Sequence, residues 1–163
     1  MSMPGPLAAA ISQWTSLYSN HAVLRTAVVF THVGALVGAG GCAIAADRAT
    51  LRALSRGDAE RRSQVAALAA THRIVVVGLS LIVVSGLLLF AADVETFLYS
   101  RVFWIKMTMV ALLLVNGAVL TGAERQAGRG DHDAWGRLRA SARISLALWF
   151  LITFAGVALT NVG

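Results

Sequence analysis

His21, Arg25, Val28 and His32 follow one another at spacings of four, three and four, the separations at which side chains stack along one face of an α-helix. Two imidazoles and a guanidinium on one stripe have the chemistry to ligate a metal, hold carboxylates or pass protons. The stripe opens an apolar stretch. Between Arg25 and Asp47 lie 21 residues without a formal charge, and as a helix they extend ~31 Å, the thickness of a bilayer's hydrocarbon core. An ionisable group inside such a span is costly to place. His32 is therefore either a neutral histidine bonded to a neighbouring helix or a functional group.

A second set of polar residues lies in the third apolar stretch, where Lys106 is followed by Met107, Met109 and Asn116. Helical rise places His32 ~16 Å below His21 and Lys106 ~8 Å below Arg101. A lysine side chain spans most of that difference, so His32, Lys106 and the Met109 sulfur are expected to converge in the outer half of the bundle, with Arg25 and His21 above them. His72 lies ~22 Å from the level of His32. The two cannot ligate one metal, which excludes a bis-histidine haem between the first two spans. Asn116, deeper than Lys106, is expected to join helices by a hydrogen bond.

A haem b needs an axial imidazole, a slot lined by small residues and cations for its propionates. His32, the glycines Gly34 and Gly38, and the cations Arg25, His21 and Lys106 are of those types. Copper needs imidazole or thioether ligands, and His32 with Met109 is the candidate metal pair. No Cys-x-x-Cys, His-Glu-x-x-His, phosphate loop or nucleophile elbow occurs, so the reading leans away from an enzyme and towards a redox or electron-transfer protein binding haem b. Two alternatives stand beside it: a non-catalytic accessory subunit of a larger membrane complex, since little of the chain lies outside the bilayer, and copper handling at the membrane.

The elements that must position these groups follow from composition. Of 163 residues, 57% are hydrophobic and 13% charged, and the mean hydropathy is +0.70; an ordinary soluble domain carries about twice that charge fraction. The expected fold is all-α: a polytopic four-transmembrane-helix up-down bundle over residues 21–163, with spans at about 23–46, 74–92, 102–121 and 143–162. Residues 1–20 place Leu7, Ile11, Trp14 and Tyr18 on one face after a Pro4-Gly5-Pro6 breaker, which reads as a short amphipathic helix at the membrane interface. Gly57-Asp58 reads as a helix stop followed by a new start.

The net charge is +6 and the pI about 11.0, yet the basic residues sit between the apolar runs, so nucleic acid is not expected. Arg48, Arg52, Arg56, Arg61, Arg62 and Arg73 follow the first span, and Arg125, Arg129, Arg137 and Arg139 follow the third. By the positive-inside rule these two loops are cytoplasmic and both termini face outward. Cys42 has no partner for an intrachain disulfide, and residues 1–20 lack the pattern of a secretory signal. The bilayer is the expected partner, with a larger membrane complex or a homo-oligomer beside it.

His32, Arg48 fifteen residues after its neighbour Val33, a glycine-bearing second span with Val77-Gly78 and Ser85-Gly86-Leu87, and Phe103-Trp104-Ile105-Lys106 opening the third together resemble the membrane domain of copper-resistance protein D. The same residues are similar to the HemJ type of protoporphyrinogen oxidase and to several four-span bacterial families. The resemblance covers about residues 20–160. It implies a protein of the bacterial cytoplasmic membrane with haem b or copper in its background. It also implies that His32 and Lys106 are the functional pair, and it places Asn116 near where the HemJ type has a second histidine.

Overall fold

The computed structural model describes residues 5–162; residues 1–4 of the amphipathic segment, including Pro4 of the breaker, and Gly163 of the bundle lie outside the described residues. Six helices follow in order: α1 (Gly5–Asn20), α2 (Ala22–Leu54), α3 (Asp58–Ala92), α4 (Val94–Tyr99), α5 (Arg101–Gly128) and α6 (Asp133–Val162). No strand occurs among the described residues. Helices α2, α3, α5 and α6 are each long and apolar enough to cross a membrane. The protein is an all-α polytopic bundle.

Local chemistry explains where the helices break. His21 adopts an extended backbone (φ −117°, ψ 95°) between α1 and α2. Asp93 caps α4 by accepting from the Thr96 N–H, and Ser100 caps α5 by accepting from the Phe103 N–H, each at 3.3 Å; short oxygen-bearing side chains satisfy the unpaired amides of a first helical turn. Between α5 and α6 the chain turns through Gly130 at φ +89°, a left-handed conformation that a side chain disfavours. Helix α2 has 33 residues and α3 has 35, so both run well past the apolar segments that the sequence marks.

The four long helices form a ring in the order α3, α2, α6, α5, with α2 packed along α3 and α6, and α5 along α6, while α3 and α5 touch only locally. Ala39, Ala43, Leu113, Leu148, Trp149 and Ile152 make the central core. Close approach of the backbones depends on two glycines. A Cβ on Gly40 would stand 3.0 Å from the Trp149 ring, and one on Gly78 would collide with Ala39, so these are positions where small residues let helices meet.

Outward faces carry large apolar side chains, with Phe30 75% and Phe154 72% exposed, as suits helices whose outer surface meets lipid tails. Hydroxyls within the spans, such as Thr26, Ser80 and Thr108, donate to the carbonyl one turn earlier, which leaves no donor free in an apolar setting.

The ring is closed at both ends between α3 and α5. At one end, the aromatic end, Phe90, Phe97 and Phe103 cluster, with Phe103 5.5 Å from each of the other two rings. There α1 crosses α3: Trp14 Nε1 donates to the Leu88 carbonyl at 2.8 Å and Thr15 Oγ1 to the Ala91 carbonyl at 3.2 Å. At the other, basic end, Ala123, Ala127, Ala134 and Leu138 form a second core against Val65 and Trp135. Arg61 ties this end together, donating to the Leu54 carbonyl at 3.1 Å and lying 5.8 Å above the Trp135 ring.

Candidate functional site

Towards the aromatic end, α2 turns His32 inward onto α3. Its Nδ1 lies 3.0 Å from the Ser85 hydroxyl, and Ser85 itself donates to the Leu81 carbonyl one turn earlier. The serine proton is thereby committed to the backbone. The hydroxyl oxygen is then free to accept from Nδ1, with the Ile82 carbonyl as a second acceptor beside the ring; a proton on Nδ1 would leave the Nε2 lone pair available. Ser85 is 3% exposed. The neighbouring Gly86 makes room for the ring, since a Cβ there would come 3.4 Å from His32 Cε1.

Lys106, from the first turns of α5, reaches across the bundle. Its Nζ lies 3.6 Å from the position a Cβ on Gly156 of α6 would take, and it is within electrostatic reach of His32. His32, Ser85, Lys106 and Gly156 come from four different spans and converge on one level. Two residues 74 positions apart in sequence, an imidazole and an ammonium, are thus brought to one level of the bundle.

The other expected members of this site stand elsewhere. His21 Nδ1 donates to the Leu17 carbonyl at 3.0 Å, and Arg25 Nη1 to the Ser19 carbonyl at 2.7 Å. Both sit at the C-terminal end of α1, where the last carbonyls carry the negative end of its dipole; the Leu17 carbonyl also accepts from the His21 backbone N–H at 3.1 Å. Gly34 and Gly38 are exposed, with nothing within 4 Å of an added Cβ; they lie on the outward face of α2, away from His32. Met109 packs against the central apolar core. Of the six candidates for a cofactor and the candidate metal pair, the fold brings together His32 and Lys106.

A second polar region lies in the half of the bundle nearer the basic end. A cavity of about 530 Å³ opens between α3 and α5, where the ring of helices is loosest. Asp47 and Ser145 line its floor, Asn116 its α5 side, and His72, Glu124 and Arg125 its rim. Asp47 is 2% exposed, with Ser145 as hydrogen-bond neighbour and Oδ2 without a partner. Asn116 bridges α5 to α6, donating to the Ser141 carbonyl at 3.0 Å and accepting from Ser141 Oγ at 2.9 Å, which is the interhelical role its depth suggests.

Sequence reasoning takes Asp47 as the marker of a span's end and passes over Ser145 and Glu124. A signal was present: Ser141, Ser145 and Trp149 recur at a spacing of four, an inward stripe on which two hydroxyls need partners. No protein-family model matches the chain, and neither a curated protein nor a solved structure does.

Proposed function

We propose that the protein is a membrane-embedded haem b protein with a redox role, its site formed by His32 and Lys106 towards the aromatic end of the bundle. The reading is supported by one observation above the rest: His32 Nδ1 lies 3.0 Å from the Ser85 hydroxyl, the contact by which a ligating histidine is oriented and its tautomer set, which would leave Nε2 for iron. Lys106 supplies a cation for a propionate, and Gly86 and Gly156 remove the side chains that would crowd the imidazole and the ammonium. His21, Arg25, Gly34 and Gly38 take no part. When bound, the haem would supply one-electron chemistry. This chain's own residues hold the ring orientation through Ser85 and present a positive charge through Lys106.

The test is a pyridine haemochrome spectrum of the protein purified in detergent from haem-supplied cells, alongside His32→Ala and Lys106→Met. Wild type is expected to carry haem, His32→Ala to lose it, and Lys106→Met to retain less. Folded wild type without haem, or equal haem in His32→Ala, overturns the proposal.

A further inference from the structure

The cavity between α3 and α5 is not part of the His32 site. Asp47 stands fifteen residues further along α2 than His32, ~22 Å away along the helix axis. Its volume of about 530 Å³ falls within the range of small-molecule sites, roughly 300–1,000 Å³. The walls are mostly apolar, with Leu68, Val75 and Leu79 from α3 and Leu113 and Leu120 from α5. Trp149 closes the back, and the open side faces outward between α3 and α5, where lipid chains would lie.

One charged group is buried against this space. Asp47 is 2% exposed and lines the cavity, and its Oδ2 has no hydrogen-bond partner. Ser145 is the hydrogen-bonding neighbour of this carboxyl, so the group keeps acceptor capacity that a donor held in the cavity can use. A second carboxylate, Glu124, lines the same cavity and is within electrostatic reach of Asp47. Arg125 and His72 are exposed at the rim, and among the described residues no ion pair joins either to Asp47 or Glu124.

Two carboxylates thus stand at the end of an apolar chamber, with Arg125 near enough to Glu124 to offset part of its charge but without an ion pair to either. A metal ion is a poor match, because hard cations take six or more oxygens. Among the described residues no group of three acidic, histidine or cysteine side chains is assembled.

We propose that this cavity binds a small amphipathic organic cation: an amine whose ammonium meets Asp47 Oδ2, strengthened by Glu124, and whose apolar body fills the chamber between α3 and α5. Such a molecule partitions into the membrane with its charged end near the surface, so the gap between α3 and α5 gives it lateral access. Recognition is divided in two. The chamber walls select size and apolarity, and the carboxylates select charge.

The experiment uses three rigid cages of one shape: 1-aminoadamantane, 1-adamantanol and adamantane-1-carboxylate. Each is titrated calorimetrically into the full chain in nanodiscs, with the heat of empty nanodiscs subtracted. The amine is expected to bind at least tenfold more tightly than the alcohol, and the carboxylate more weakly still. Asp47→Asn is expected to abolish the preference for the amine while leaving the alcohol unchanged. Glu124→Gln reads the same charge from a less buried position, with a smaller loss, should Asp47→Asn fail to fold.

Gly117 lines the cavity and has nothing within 4 Å of an added Cβ, so a side chain can start there into the chamber, and Gly117→Leu is expected to remove binding of all three. Equal affinity for amine and alcohol, amine binding untouched in both charge variants, or amine binding undiminished in Gly117→Leu overturns the proposal.

Discussion

The bond between His32 and Ser85 joins α2 to α3, and its contribution is measurable without any cofactor. Ser85→Ala removes the acceptor of His32 Nδ1, which lies 3.0 Å away. The Leu81 carbonyl keeps its helical partner, so the loss falls on the imidazole alone. Hydrogen bonds between membrane helices contribute about 0.6 kcal/mol on average and up to ~1.7 kcal/mol. Ser85 is 3% exposed, so water cannot replace the acceptor, while the Ile82 carbonyl beside the ring recovers part of the loss, and a value of about 1 kcal/mol is expected.

The coupling is isolated by a double-mutant cycle of Ser85→Ala and His32→Ala. Helical circular dichroism in mixed micelles of dodecylmaltoside and increasing dodecylsulfate gives the unfolding free energies. Each single variant should lower stability, and the double variant should be less unstable than their sum by about 1 kcal/mol. In haem-supplied preparations Ser85→Ala should also weaken haem retention about 10- to 100-fold, the usual effect of losing the group that orients a ligating histidine. Strict additivity of the two substitutions would refute the bond. Additivity broken but haem retention unchanged would leave the helix contact standing and refute the orienting role.

Two further outcomes are expected. Gly40→Leu forces the Trp149 ring aside, since even a Cβ would meet it at 3.0 Å, and should destabilise the bundle by about 1–3 kcal/mol; Gly38→Leu, two residues earlier in the same helix but facing outward, should change stability by less than ~0.5 kcal/mol in the same micelle titration. For orientation, single cysteines at Ser19 and at Arg129 in a Cys42→Ser background should label oppositely with an impermeant maleimide applied to intact cells: Ser19→Cys reacts and Arg129→Cys does so only after permeabilisation. Reversed labelling would overturn the orientation drawn from the arginine-rich loops.

What amino-acid order decides here is architecture. Four long apolar runs separated by arginine-rich or aromatic segments have one economical arrangement in a bilayer, because a helix is the element that satisfies every backbone amide and carbonyl within itself. The inward position of His32 and the bridging role of Asn116 were legible on the same grounds, since a polar group in a span seeks a partner inside the bundle.

Which face of α2 lines a site is a different matter. Gly34 and Gly38 share a helix with His32, but only the docking of α3 and α6 turns them outward. Helices that are apolar all round carry no strong stripe to announce their inner face. His21 and Arg25 follow the helical spacing of His32, yet the break at His21 sets the α1 carbonyls within their reach, and those carbonyls take them.

Asp47 carries the same lesson. At the end of an apolar run a charge is ordinarily solvated, and it loses its water here because α3 and α6 continue past it towards the basic end. The order of residues settles how far each helix runs and what chemistry it carries; the crossing of neighbours, which determines the inner face and the solvent left to each polar atom, exists only in the folded bundle.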